Sequence, residues 1–192
     1  MSSRLLRLIG KHGNEPSEKL KELFATCHKN PTEDIANRLN DMGQIFLTKY
    51  NMPNTEEKII KSHESIAKKR LSMGEIMNYK ILEAILFKEK AKNKAWTSLL
   101  EQDGFHRVLF ACCLEIVIFS YNSPSRTFPW VLNIFNLQDY HFYKVIEVSS
   151  FSILQNNPKS FFKKLKYILF CFRSSFGLRI GYHERLSNIC RE

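Results

Sequence analysis

Apolar residues recur along this chain at helical spacing, and one stretch is apolar almost without a break. Leu20, Leu23, Phe24 and Cys27 fall at i, i+3, i+4 and i+7, a single helical stripe. Pro16 ahead of them suits the first turn of that helix, where a missing N–H is harmless. Leu5, Leu6, Leu8 and Ile9 predict a shorter helix before it, ended by Gly13-Asn14. Asn30-Pro31-Thr32-Glu33 is a start signal, with Asn30 as N-cap, Pro31 at the first helical position and Glu33 reaching back. Ile35, Leu39, Met42 and Phe46 then carry a helix to about Tyr50. Asn51 to Asn54 reads as a loop. Thr55 to Arg70 is mostly charged and weakly periodic, which predicts a mobile connection or a marginal helix. From Leu71 to Leu86 the apolar density rises to that of a long buried helix, followed by a solvated link from Lys88 to Lys94. Trp96, Leu99 and Leu100 form a short amphipathic piece.

Val108 to Phe119 is apolar except for Glu115. A helix that is apolar all round has to be wrapped by other elements. It falls short of the ~20 apolar residues that span a membrane. The pattern therefore predicts an all-α bundle around a central helix at residues 105–120, with Asp103 as its cap. Asn122-Ser123-Pro124-Ser125 is a turn. Pro129 opens a further helix with Trp130, Val131, Ile134 and Phe135 inward, and Asp139 caps another with Phe142, Val145 and Ile146 on one face.

Composition narrows the class. With 192 residues, 44% hydrophobic, seven Gly and six Pro, the chain is long enough for one helical domain plus an extension. Five Cys without paired spacing predict a reducing, intracellular setting without disulfides. No signal peptide is expected, since Leu5 to Ile9 is too short. The net charge of +10 is uneven: residues 1–148 carry 21 Lys and Arg against 17 Asp and Glu, whereas residues 149–192 carry 8 against 2. The main body is thus not an evident nucleic-acid binder.

Candidate chemistry is sparse. His106 near Cys112 and Cys113 lacks zinc-site spacing, and adjacent Cys on a helix diverge, so a structural role is expected. Cys27-His28 is a neighbouring pair that cannot form a dyad for the same reason. No Gly-rich phosphate loop occurs. Trp96 and Trp130 are expected as core or domain-contact aromatics. Neither catalytic residues, cofactor nor metal is expected. Lys68-Lys69-Arg70 and Lys163-Lys164-Leu165-Lys166 could serve nuclear import, although such runs are as a rule solvated surface.

Several strings share an order and spacing found in one family. They are Glu15-Pro16-Ser17-Glu18, Asn30-Pro31-Thr32-Glu33, Tyr79-Lys80-Ile81-Leu82-Glu83, Leu99-Leu100-Glu101-Gln102-Asp103 and Phe105-His106. They continue through Ala111-Cys112-Cys113-Leu114-Glu115-Ile116-Val117, Ser120-Tyr121, Phe128-Pro129-Trp130 and Phe142-Tyr143-Lys144-Val145-Ile146-Glu147. Over about residues 4–148 the chain resembles the A box of retinoblastoma-family pocket proteins, and the retinoblastoma-like members most. The resemblance implies a cyclin-like helical fold, a nuclear location and a non-enzymatic role in repressing cell-cycle genes at the G1/S transition. It implies that the A box packs on a B box, and that basic A-box side chains hold the acidic transactivation peptide of cell-cycle-activating transcription factors. Lys144 corresponds to the lysine of the family's Phe-Tyr-Lys motif; Lys80 and Lys88 lie on the helix that supplies other basic contacts. Chromatin-modifying corepressors would be indirect partners, and direct nucleic-acid binding is not implied.

The sequence departs from the family after Val148. Two further A-box helices are expected there, and the B box beyond them, yet Ser149 to Pro158 matches neither. The division expected is a partial A-box domain at 1–148, incomplete at its C-terminal end, and a divergent basic, Phe-rich tail at 149–192. Within the tail, Phe161, Phe162, Leu165, Ile168, Leu169 and Phe172 share a face, with Lys163, Lys164 and Lys166 elsewhere. A basic amphipathic helix at 159–173 offers a membrane- or calmodulin-binding alternative. A truncated isoform or gene-model product without intact pocket function is the other.

Overall fold

A computed structural model describes residues 13–51, 57–91, 96–121, 126 and 129–137, with side chains from residue 64 onward in the second of these stretches. Among the described residues the chain is helical and has no strand. In order the helices are α1 (Glu18–Ala25), α2 (Thr32–Asn51), α3 (Glu57–Ala91), α4 (Thr97–Glu101), α5 (Asp103–Ser120) and α6 (Trp130–Ile134). The expected elements at Leu5–Ile9, 122–125, after Asp139 and at 159–173 lie outside the described residues.

α5 is the central rod. Every residue from Val108 to Ile118 is buried, Glu115 included. α3 packs most extensively against α5 and then against α2; α4 and α6 pack on α5 as well, while α1 lies on α3. Leu20, Phe24, Phe46, Leu82, Ile85, Leu86, Leu109 and Phe110 are wholly enclosed and join the layers into one core. Burying each such side chain contributes about 1.5–3 kcal/mol.

α3 corrects the expectation for Thr55 to Arg70. From Glu57 this stretch is the first half of one helix of 35 residues that continues to Ala91, so the expected link at Lys88–Lys94 is helical in its first part. Neither Pro nor Gly interrupts residues 57–73. The inward stripe is real but diluted: Ala67, Arg70, Gly74, Met77 and Ile81 alternate steps of three and four residues, and all are buried. Charged residues occupy the outer face, where Lys68 and Glu64 pair at 2.6 Å, one turn apart.

The caps also differ from expectation. Pro16 lies before α1, and Ser17 is the N-cap, accepting the Leu20 N–H at 3.2 Å. Ser17 Oγ also donates to the Glu83 carboxylate, which fastens the start of α1 to α3. Asn14 adds a second clasp, donating to Glu75 at 2.7 Å and accepting from Ser72 at 2.7 Å. Pro31 is one residue outside α2, its carbonyl accepting the Ile35 N–H, while the Asn30 side chain accepts from Thr32 N at 3.0 Å. Asp103 is the first residue of α5 and does not cap it; the cap position is Gln102. The Asp103 carboxylate still sits at the positive end of the helix, where it accepts from Arg38 Nε of α2 at 3.0 Å. α6 ends in a Schellman turn: Asn136 takes a positive φ of 49°, and Leu137 N donates to Leu132 O at 3.1 Å.

Candidate peptide-binding surface

The basic side chains singled out by sequence divide between described and undescribed parts of the chain. Lys80 and Lys88 stand on the same helix, α3, eight residues apart, a separation of about 12 Å along its axis. Both are half-buried, and each has an interaction partner in the fold. Burial draws the Lys80 ammonium below its ordinary pKa, and Glu83 one turn away opposes the shift. Lys144 lies outside the described residues. Between the two lysines the outer face of α3 presents half-buried Ala84 and exposed Phe87. Lys90 turns toward the indole of Trp96, its Nζ 5.8 Å from the ring centroid. The C-terminal half of α3 therefore offers positive charge next to apolar surface, without a nucleophile or metal cluster. Among the described residues no group of three or more His, Cys, Asp or Glu could hold a metal ion.

A second cluster was not legible as such in the sequence. Tyr50, at the end of α2, is buried between two guanidinium groups: Arg126 Cζ lies 3.7 Å from its ring centroid and Arg70 Cζ 5.4 Å. Arg70 also donates to the Tyr50 hydroxyl and lies 5.1 Å from the Tyr121 ring. Arg126 donates to the Tyr50 carbonyl at 2.7 Å, so a cation satisfies the C-terminal end of α2. Trp130 completes the group edge-on to both Phe46 and Tyr50, with centroids 6.0 and 6.1 Å away. Arg70 is thus not a member of a solvated basic run: Lys68 and Lys69 face water and Arg70 faces in. Its place on the Ala67–Gly74–Met77 stripe was the available signal.

The polar groups of the core are structural. His106 is buried, and its Nε2 donates to Leu100 O at 3.0 Å, tying α4 to α5. Desolvation, with Arg38 nearby, pulls His106 down to about 4, so the ring is neutral at physiological pH. Burial pushes the Cys112 and Cys113 thiols well up, away from the nucleophilic thiolate form. Cys27 is half-buried beside an exposed His28. Glu115, the one charged residue between Val108 and Phe119, is 2% exposed, and burial raises it to about 8, opposed by the backbone N–H of Val131. That contact places its carboxyl at the first turn of α6, whose cap residue Pro129 offers no side-chain bond.

With this geometry in view, the likenesses to known proteins fall into place. The family profile described as the retinoblastoma-associated protein A domain matches residues 1–166, running past Val148. Human retinoblastoma-like protein 1 is 45% identical over 148 residues, covering 76% of this chain and 14% of that protein. Human retinoblastoma-like protein 2 is 41% identical over the same length, covering 76% of this chain and 13% of that protein. A plant protein, retinoblastoma-related protein 2 of Oryza sativa subsp. japonica, is 30% identical over 140 residues, covering 70% and 14%. The chain therefore spans only about 14% of the length of the relatives it matches.

Proposed function

The chain belongs to the retinoblastoma family of pocket proteins as an A domain, and from that premise we propose that it is a non-enzymatic protein-binding module of a nuclear transcriptional corepressor. The A domain is a cyclin-like helical fold, and the all-α bundle around α5 is of that kind. In the proposed role it contributes basic side chains to a groove that holds the acidic transactivation peptide of cell-cycle-activating transcription factors. Through that contact it takes part in restraining the G1/S transition. A B box in a longer product would pack beside it, and chromatin-modifying corepressors would join indirectly. Lys144, Lys80 and Lys88 are the proposed groove residues. The observation that carries the reading is the A-domain match over residues 1–166. Half-buried Lys80 and Lys88 on one helix give it chemical content. An ammonium–carboxylate pair in a partly exposed groove is worth ~1 kcal/mol, about five-fold in affinity.

Fluorescence anisotropy with a labelled acidic transactivation peptide tests this. The expected result is saturable, salt-sensitive binding, weakened about five-fold by Lys144→Ala and by Lys80→Ala. Absence of binding at high micromolar concentrations of the chain removes it from this role.

A further inference from the structure

We propose that two copies of this chain associate through the outer face of α2, with a two-fold axis at Ile45 and Asp41 of each copy facing the Lys49 of the second copy. The contact uses a different helix from the peptide-binding reading above and goes beyond it.

Ile45 is 37% exposed, one of three large hydrophobic residues left at the surface among the described residues. The core side of α2 is Leu39, Met42, Phe46 and Tyr50, each at most 6% exposed. Asp41, Gln44, Thr48 and Lys49 are exposed with Ile45. Ile45 is therefore on the surface because its position faces outward. It does not lie at a fraying end, since α2 runs on to Asn51.

Asp41, Ile45 and Lys49 are spaced by four residues, so they form one row along the helix surface. An acid stands one turn before the isoleucine and a base one turn after it. A two-fold axis through Ile45 reverses the row. It lays Ile45 on its own copy and sets both acids opposite both bases, which is the self-complementarity an isologous contact requires. Among the described residues neither Asp41 nor Lys49 takes part in an ion pair. Thr48, beside the row, donates its hydroxyl to Gln44 O at 2.8 Å, so it brings no unmet donor into the contact.

Charge chooses the occupant. The chain carries +10 overall, which opposes contact between two copies over most of the surface. The row through Ile45 has no net charge and matches its own inverse. A uniformly acidic or basic partner would meet as much repulsion there as attraction. The other exposed hydrophobics lack this symmetry. Four residues from Ile66 stand Ser62 and buried Arg70; four residues from Phe87 stand Glu83, already held by Ser17, and Ala91. Exposed ion pairs are individually weak, so they set register and exclude other arrangements while Ile45 supplies the apolar contact. One helix face is a small interface, and the dissociation constant is expected on the order of 100 μM.

Sedimentation of the full chain at concentrations up to about 500 μM, in about 0.15 M salt, tests this. The parent is expected to pass from monomer to dimer over that range. Ile45→Arg and Asp41→Lys should each raise the dissociation constant about ten-fold or more. The decisive arm mixes two variants. Asp41→Lys makes the row wholly basic, and Lys49→Asp makes it wholly acidic. Neither should dimerise alone, yet the two should pair when mixed, and the double variant Asp41→Lys/Lys49→Asp should recover the parent's constant. All three positions are exposed, so melting temperatures of the variants should stay within about 5 °C of the parent. A chain that remains monomeric throughout overturns the proposal. So does a dimer that survives Ile45→Arg, or a pair of charge variants that stays apart on mixing. Peptide affinity at Lys80 and Lys88 is expected to be the same in all these variants, so failure here leaves the peptide-binding reading standing.

Discussion

Gly74 of α3 lies against Leu114 of α5 so closely that a Cβ added to it would come within 2.6 Å of Leu114 Cδ2. Phe110 Cε2 stands 3.6 Å from the same point, and both side chains are wholly buried, so Leu114 has little room to retreat. Glycine here is a contact surface: it lets the longest helix, α3, approach the central α5 closely.

Gly74→Ala is accordingly expected to destabilise the fold by about 1–2 kcal/mol, overpacking outweighing a gain of about 1 kcal/mol in helix propensity. Gly104, with nothing within 4 Å of its added Cβ, is the control, and Gly104→Ala should be neutral or stabilising. Urea midpoints measure both. Combining Gly74→Ala with Leu114→Ala should be less harmful than the sum of the two, since the second change makes room for the first.

Glu115 gives a pH dependence of known sign. Its folded pKa of about 8 lies above the unfolded value near 4.5, so the folded state holds the proton more tightly. The stability linked to that proton is fully present below 4.5 and is lost as pH rises through 8. Urea midpoints should fall as pH rises from about 6.5 to 8, where the ordinary histidine range has been passed, by a free energy on the order of 2 kcal/mol. Glu115→Gln, which keeps an acceptor for Val131 N–H, should flatten the fall.

His106 acts at the other end of the scale. Its folded pKa of about 4 lies below the ordinary 6.5, so the unfolded chain takes up the proton first on acidification. The stability of the neutral buried ring is complete above 6.5 and declines as pH drops to 4. In a Glu115→Gln background, where no opposing slope remains, equilibrium unfolding between those limits should show the decline, and adding His106→Gln should remove it. Together with Glu115, this predicts a flat maximum of stability between about pH 4.5 and 6.5, where the two opposed slopes cancel.

Arg70 separates two accounts of the basic run it belongs to. Lys68→Ala and Lys69→Ala remove solvent-facing charges and should change stability by less than about 0.5 kcal/mol. Arg70→Ala removes a guanidinium that touches Tyr50 and Tyr121 and should destabilise by about 2 kcal/mol. Thermal denaturation of the three variants distinguishes them.

Much of the fold was legible because the strongest signals were long and simple. An unbroken apolar run can only be enclosed, and residues 108–118 are. The stripes through Leu20–Phe24 and Ile35–Phe46 reported their helices directly. The first half of α3 was not legible as a firm helix, because its inward stripe is carried by Ala67, Arg70 and Gly74, which no hydropathy pattern flags. Asp103 was assigned to a cap because its residue type fits, whereas Arg38, distant in sequence, claims its carboxylate. The pairing of Tyr50 with Arg126 joins residues 76 positions apart, and local spacing carries no trace of that. At the candidate surface the lysines were found through likeness to a family, while Phe87 became visible only once its face could be told from the core face.

The uninterrupted course of α3 has a mechanical side. Its 35 residues span about 52 Å, nearly twice the about 27 Å of the 18-residue α5. Arg70 and Lys88 sit about 27 Å apart on this one girder, with no Pro to act as a joint between them. Leu82, Ile85 and Leu86 seat the lysine-bearing end in the same core that holds Ala67 and Arg70, so one continuous rod sets the spacing between the guanidinium cluster and the lysines.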